Sequence, residues 1–251
     1  MRVDIVIPAR YASSRLPGKP LLKSTGKFLI QHVYERALQA KFAHNVLIAT
    51  DDPRIQAAVA SFGGQCVMTR RDHVSGTDRI AEVARNLDGD VIINLQGDEP
   101  EIDPGHLDLL PDLLLRNPAA SVATLATPIA DAETWRSPNC VKVVCDDNGS
   151  ALYFSRSPIP YLRDGLPDFR GPPRFLQHVG LYAYRRDFLL ELASQPPGAL
   201  ELTEKLEQLR VLAMGQAIQV GIVAHAGRGV DTMEDYERFR RSLRRPKAMA
   251  A

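Results

Sequence analysis

Short apolar runs alternate along the chain with segments whose apolar residues return at helical spacing. Val3 to Pro8, broken by the single acid Asp4, reads as a strand; a helix over about Phe28 to Ala40, a strand Val46 to Thr50 and a helix over about Pro53 to Phe62 follow. The rhythm continues through Gln65 to Met68, a helix over about Thr77 to Leu87, the run Val91 to Leu95 and a helix over about Pro104 to Arg116. The last of these starts at Asp103-Pro104, an N-cap residue before proline at the first helical position. Strands this apolar, without polar alternation, suit a parallel sheet covered on both faces. After Ser121 to Thr127 the pattern changes: Val141 to Cys145, the turn Asp146-Asp147-Asn148-Gly149 and Ser150 to Phe154 read as a hairpin. A Pro-rich stretch from Ser157 to Pro173 has little periodicity and reads as a loop, a lid or an oligomer contact. The chain returns with a strand Val179 to Tyr184, helices over about Arg186 to Ala193 and Thr203 to Met214, a strand Ile218 to Val223 and a helix over about Met233 to Leu243. The tail Arg244 to Ala251 is expected to fray. The prediction is a Rossmann-like α/β fold of three layers, with a mostly parallel central sheet and a smaller lobe, in one domain over 1–251.

Composition narrows the class. With 251 residues, 45% of them hydrophobic and 24% charged, the chain is long enough for one large α/β domain to bury its core without disulfides. A formal net charge of +1 gives no global reason to expect nucleic acid or a membrane surface as partner, which points to a small-molecule substrate. Nothing resembles a signal peptide, and no run approaches the roughly 20 apolar residues of a membrane span, so the expected location is the cytoplasm. Cys66, Cys140 and Cys145 form no CxxC pair and read as buried free thiols, and the six histidines lack HExxH spacing. Any metal is expected to be a hard cation held by carboxylates.

In an open parallel sheet, ligands collect beyond the carboxyl ends of the strands. After the first strand comes Pro8-Ala9-Arg10-Tyr11-Ala12-Ser13-Ser14-Arg15-Leu16-Pro17-Gly18-Lys19-Pro20, with three cations, two serines, one glycine and no acid. Backbone N–H groups of such a loop can cradle phosphate oxygens while Arg10, Arg15 and Lys19 supply charge-assisted bonds; composition alone leaves a solvated basic loop open. Neither the P-loop nor the dinucleotide fingerprint is present. Gln96-Gly97-Asp98-Glu99-Pro100 stands where a buried strand surfaces, placing Asp98 to hold Mg²⁺. A second carboxylate, Asp231, follows the strand near the C-terminus, where a helix N-cap is the competing reading. The turn His73-Val74-Ser75-Gly76-Thr77-Asp78 opens a helix and either reads a base edge or caps.

These segments, with Tyr153-Phe154-Ser155-Arg156, His178-Val179-Gly180-Leu181-Tyr182, Leu206-Glu207-Gln208-Leu209-Arg210 and Gly229-Val230-Asp231-Thr232, resemble in order and spacing the motif series of the 3-deoxy-manno-octulosonate cytidylyltransferases. The resemblance covers nearly the whole chain; only the Pro-rich stretch Leu162 to Arg174 matches no family motif. It implies the three-layer nucleotidyltransferase fold, with 1–127 mainly binding nucleotide, 128–217 forming the sugar-binding and dimer-contact half, and 218–251 a returning strand and C-terminal helix. The activity implied is transfer of CMP from CTP to the eight-carbon 2-keto sugar acid KDO, for lipopolysaccharide assembly, by a homodimer.

Residue by residue, the resemblance implies that Ala9, Arg10, Lys19, Ser75, Gly76, Thr77, Gln96 and Asp98 bind nucleotide. The triphosphate falls to Arg10 and Lys19, and cytosine to the Ser75–Thr77 turn. Asp98 and Asp231 match the magnesium carboxylates and, with Lys19, form the catalytic set. Arg15, Gln96, Arg156, His178, Tyr182, Glu204, Glu207 and Gln208 would contact the sugar acid. By spacing, Glu204, Glu207 and Gln208 share one face of the helix predicted after Leu202, with Leu202, Leu206, Leu209 and Ala213 on the opposite, core-facing stripe; a solvated face is the bland alternative. The implied reaction is in-line attack of the anomeric 2-hydroxyl on the α-phosphorus with release of pyrophosphate, driven by alignment and charge neutralisation. Competing readings are a cytidylyltransferase for an 8-amino version of the sugar or for an acylneuraminate, and a non-catalytic nucleotide-binding regulator.

Overall fold

A computed structural model describes residues 1–12, 16–165, 167–171 and 175–244. Among the described residues nine strands form one sheet: β1 Val3–Ala9, β2 Ala43–Thr50, β3 Cys66–Met68, β4 Val91–Asn94, β5 Ala120–Pro128, β6 Lys142–Cys145, β7 Ala151–Ser155, β8 Leu176–Arg185 and β9 Ala217–Ile222. The helices are α1 Leu29–Ala37, α2 Pro53–Ser61, α3 Gly76–Ala84, α4 Pro104–Arg116, α5 Ala132–Arg136, α6 Arg186–Ser194, α7 Ala199–Glu204, α8 Gln208–Ala213 and α9 Met233–Arg244. The main strand order is β3-β2-β1-β4-β8-β5-β9. The first four strands run parallel, β8 runs antiparallel to both β4 and β5, and β9 returns parallel to β5.

The apolar strands are apolar because both faces are covered. Val3, Ile5 and Ile7 of β1 pack with Ile30 and Val33 of α1, Ile55 and Val59 of α2 and Leu107, Leu110 and Leu114 of α4. Val6 belongs to the opposite layer, with Ile80 and Ala84 of α3, Phe188 and Leu189 of α6 and Leu209 and Val211 of α8. The three-layer α/β prediction is therefore realised, and the odd-even split within β1 is the pleat of a strand feeding two cores. A third cluster joins Leu16, Leu29, Val230, Tyr236 and Phe239, so α9 clamps the exit of the basic loop, and the Ser24 N–H donates to the Tyr236 hydroxyl at 2.8 Å.

Three features differ from expectation. The single helix predicted over Thr203 to Met214 is two short helices, α7 and α8, joined through Lys205 in a left-handed conformation (φ 54°). Leu206 and Leu209 are buried as predicted, but Leu202 is 52% exposed and Ala213 is exposed, because the elbow turns the stripe out of register. Strand β8 is longer than predicted and carries a bulge, with Thr124 opposite Tyr182 and Leu125 opposite Val179. Its last residues lie between β4 and β5, and its first pair with β6 and β5, so one strand stitches the hairpin to the main sheet. The Pro-rich stretch contributes to a satellite core: Leu162 and Phe169 pack on Ile129, Trp135, Cys140 and Phe175, and the Trp135 indole N–H donates to the Ile159 carbonyl at 3.2 Å. The tail from 245 and the residues 13–15 lie outside the described residues. Among those described, no helix is long and apolar enough to cross a membrane.

Candidate active site

Local backbone chemistry delivers the basic loop to the sheet edge. Gly18 is left-handed (φ 69°), and a Cβ there would lie 3.2 Å from the Tyr11 ring, so the turn that closes with the Gly18 N–H on the Tyr11 carbonyl at 3.0 Å requires glycine. The following 3₁₀ turn, Lys19–Leu21, presents the Lys19 ammonium to two carboxylates distant in sequence, Asp98 Oδ2 at 2.5 Å and Asp231 Oδ1 at 3.4 Å. The loops carrying these acids are themselves joined, since the Val230 N–H donates to the Asp98 carbonyl at 2.8 Å. Gly97 permits a further close approach: a Cβ there would lie 2.9 Å from the Pro8 carbonyl oxygen at the end of β1.

Asp231 was the residue with a competing capping role. Thr232 takes that role: its hydroxyl accepts from the Asp235 N–H, while Asp235 Oδ2 accepts from the N–H groups of Asp231 and Thr232 and from the Thr232 hydroxyl. The Asp231 side chain reaches Lys19 instead. Ser75 is a cap, with its hydroxyl accepting from the Asp78 N–H at 3.0 Å and Asp78 reciprocating at 3.1 Å. Arg10 secures this turn from the other side, donating from Nη2 to the carbonyls of His73 (2.7 Å) and Ser75 (3.0 Å).

Two adjoining cavities result. The first, of about 380 Å³, is lined by Ala9, Arg10, Lys19, Gly76, Gln96, Asp98 and Asp231, among others. The second, of about 260 Å³, is lined by Thr77, Asn94, Tyr182, Tyr184, Glu207 and Gln208, and again by Gly76 and Gln96, which form the seam. The Thr77 hydroxyl sits beside Glu207 and Tyr184 across that seam and favours the ionised form of each. The second cavity is the more enclosed of the two. Burial raises the Glu207 carboxyl above its ordinary range despite the opposing Thr77 hydroxyl and Arg210 charge, and it holds the Tyr182 phenol well above its ordinary value. The Gln208 amide nitrogen is buried without a hydrogen-bond partner. Near the first cavity, burial pushes Glu99 up to about 7, with Asp98 and Asp231 adding to the effect and Lys19 opposing it.

The predicted site residues thus divide. Ala9, Arg10, Lys19, Gly76, Gln96, Asp98 and Asp231 converge on the first cavity, and Thr77, Tyr182, Glu207 and Gln208 on the second. Thr77, predicted for the nucleotide, faces the second cavity because the first turn of α3 points it toward β8 and α8. Arg156, His178 and Glu204 line neither cavity. The Arg156 guanidinium donates to the carbonyls of Glu204 (2.8 Å), Pro138 (2.9 Å) and Lys205 (3.4 Å), closing the end of α7. Glu204 accepts from the Ser155 hydroxyl at 2.6 Å and the Arg156 N–H at 2.9 Å. His178 is wedged between the rings of Phe154 and Tyr182 with Nε2 3.1 Å from the Thr124 hydroxyl, and burial depresses its pKa to about 3, so it is neutral and stacks behind Tyr182. Arg15 lies outside the described residues. Sequence reasoning missed Asn94 and Tyr184 as lining residues. Asn94 is the one polar residue of β4, and Tyr184 follows Tyr182 at strand period, so both carried a signal.

Comparison with known proteins gives the family. The sequence profile of the cytidylyltransferase family matches residues 5–218. A 3-deoxy-manno-octulosonate cytidylyltransferase of Rhodopirellula baltica is 52% identical over 243 residues, 95% of this chain and 97% of the relative. One from Geobacter sulfurreducens is 50% identical over 97% of this chain and 100% of its own length. A solved structure of CMP:2-keto-3-deoxy-manno-octonic acid synthetase complexed with CTP superposes with a TM-score of 0.91 at 50% identity, covering 97% of this chain and 98% of that one.

Proposed function

We propose, because this chain belongs to the cytidylyltransferase family and within it to the 3-deoxy-manno-octulosonate cytidylyltransferases, that it transfers CMP from CTP to KDO and releases pyrophosphate. The observation that carries the site assignment is the convergence of Asp98 and Asp231 on Lys19 in a cavity that abuts a second one at Gly76 and Gln96. The first cavity takes the nucleotide and the second the sugar acid, so the seam is where the acceptor's anomeric oxygen meets the α-phosphorus. A bond forms between those two atoms, the bond from α-phosphorus to the bridging oxygen of the leaving pyrophosphate breaks, and the hydroxyl proton passes to solvent. Arg10 and Lys19 hold phosphate charge, while Tyr182, Glu207 and Gln208 orient the acceptor, so rate comes from alignment and electrostatics.

The donor set fits magnesium. Two carboxylates already draw a cation, the Lys19 ammonium, between them, and among the described residues no cluster of three or more His, Cys, Asp or Glu side chains forms a complete protein cage. Such a sparse set suits an ion that takes its other ligands from phosphates and water. Asp98 and Asp231 would hold it, and when bound it neutralises charge on the reacting phosphate. The chain also pairs with a second copy through its second half. Supporting this are Leu152 (62% exposed) on β7 and Ile222 (54% exposed), which lines an apolar groove with Val143, Val144, Pro160 and Val220. The setting that goes with CTP use is the cytoplasm, and the product serves lipopolysaccharide assembly.

The test is pyrophosphate release from CTP and Mg²⁺ with KDO, 8-amino-KDO or an acylneuraminate as acceptor. Release with KDO as the preferred acceptor is expected. CTP binding without release on any acceptor would replace this reading by a non-catalytic one. Light scattering at twice the chain mass checks the pairing.

A further inference from the structure

Lys142 is the first residue of β6 and is completely buried, yet no carboxylate lies within ion-pair distance among the described residues. Its ammonium donates to three backbone carbonyls, those of Ser137 (2.9 Å), Cys140 (2.6 Å) and Arg156 (2.5 Å). A charge held only by carbonyl dipoles is costly to bury, and burial lowers the Lys142 pKa, with Glu204 opposing and Arg156 adding. The cost falls at a junction. Arg156, whose carbonyl Lys142 holds, grips Glu204 through its N–H and through Nε, and reaches the carbonyls of Pro138 and Lys205. Lys205 is the one non-glycine residue with positive φ among the described residues, and it makes the elbow from α7 into α8. Two and three residues later come Glu207 and Gln208, on the wall of the second cavity.

We infer that Lys142 is a positioning residue for the acceptor side of the site: its ammonium fixes the Arg156 backbone, Arg156 fixes the Lys205 elbow, and the elbow sets where Glu207 and Gln208 stand. Lys142 touches neither cavity and acts only through this chain of contacts. The ties converge on one elbow that points at one cavity, so loosening them displaces acceptor groups and spares the nucleotide cavity, whose walls come from the loops after β1, β4 and β9. This inference rests on reading the second cavity as the sugar-acid site.

The test compares Lys142→Met, which keeps the stem and removes the charge, with the unaltered chain, using pyrophosphate release at varied KDO and varied CTP and the thermal shift produced by CTP. A displaced acceptor wall is expected to raise the apparent KM for KDO roughly tenfold or more while the KM for CTP and the CTP-induced shift stay within about twofold of the unaltered chain. If Lys142→Met does not fold, Lys142→Gln, which retains two N–H donors, is expected to show the same split in smaller measure. A lower melting temperature with both KM values unchanged, an equal rise in both, or failure of both variants to fold would overturn the inference in favour of a purely structural lysine. An unaltered chain that releases no pyrophosphate with KDO would instead remove the functional reading, and the inference with it.

Discussion

The two cavities, proposed to take the nucleotide and the sugar-acid acceptor respectively, share a seam but are built in opposite ways. The nucleotide side is made of loops at strand ends, with charges that find one another across the sheet edge: Lys19 from the loop after β1, Asp98 from that after β4, Asp231 from that after β9. The acceptor side is made of the flank of β8 and the start of α8, with two tyrosines, a glutamate whose charge burial disfavours and an unpartnered amide. The first works by placing full charges around a polyanion. The second works by shape and by polar groups held in a drier environment, where each hydrogen bond discriminates more strongly. A transferase joining a triphosphate to a sugar acid needs both, because one substrate is recognised by charge and the other by the arrangement of its hydroxyls.

The sharpest way to break the comparison is on the charged side. Asp98→Asn keeps the shape, removes one of the two charges facing Lys19 and leaves the ammonium with Asp231 at 3.4 Å. Turnover is expected to fall about a hundred- to a thousandfold, the scale of losing one electrostatic contact to the transition state, with an unchanged circular dichroism spectrum. Near-normal turnover at limiting Mg²⁺ would mean that the charged side does not carry the chemistry.

A smaller effect is expected at the seam. Thr77 lines the second cavity with Glu207 and Tyr184, and its neighbour Gly76 lines both cavities. Thr77→Val keeps the volume and removes the hydroxyl that favours the ionised Glu207, at a cost of about 1 to 3 kcal/mol at most. The apparent KM for KDO is expected to rise about tenfold and that for CTP only about two- to threefold, because Gly76 shifts with its neighbour. Initial rates on both substrates decide it; a rise confined to CTP would assign Thr77 to the base, as the motif alone suggests.

The same contrast explains how much of the molecule the sequence disclosed. The β1 loop, the Gln96–Pro100 segment and Gly229–Thr232 were legible because each is a local composition anomaly at a place where an apolar strand surfaces, and strand ends are where such sheets bind ligands. Whether Asp231 capped a helix or faced the site was not decidable locally. It turned on Thr232 and Asp235 forming their own reciprocal cap. Of the residues expected to meet the acceptor, Tyr182, Glu207 and Gln208 line the second cavity while Arg156, His178 and Glu204 do not, and the reason lies in geometry the sequence does not carry. Glu204, Glu207 and Gln208 share a helix face only if the helix is continuous, and the left-handed Lys205 breaks it while Arg156 closes the break. A lysine in αL carries no sequence signal of the kind a glycine would, so the elbow is a product of tertiary contacts. The β8 bulge is similar: Thr124 satisfies it by bonding the carbonyls of Val179 and Leu181, and nothing in the strand's own sequence announces that partner.

The mildest effect separates the two sides by pH. Beside the nucleotide cavity, Asp235 is held down to about 2, first by the Thr232 hydroxyl, with Arg238 and backbone N–H groups assisting against desolvation. Its folded value lies below the ordinary 3.8, so the stability it confers is complete above 3.8 and is lost as pH falls toward about 2. On the acceptor side, Glu207 is displaced the other way by burial, above the ordinary 4.5. Above 4.5 the folded chain therefore binds more protons at Glu207 than the unfolded one does, and stability declines as pH climbs from 4.5 through the raised value. Melting curves from pH 2 to 9 are expected to show Asp235→Asn flattening only the acid limb and Glu207→Gln flattening only part of the decline above pH 4.5, the rest belonging to Glu99, which is raised to about 7. If Glu207→Gln instead steepened that decline, the acceptor side would not be the drier environment that distinguishes it from its neighbour.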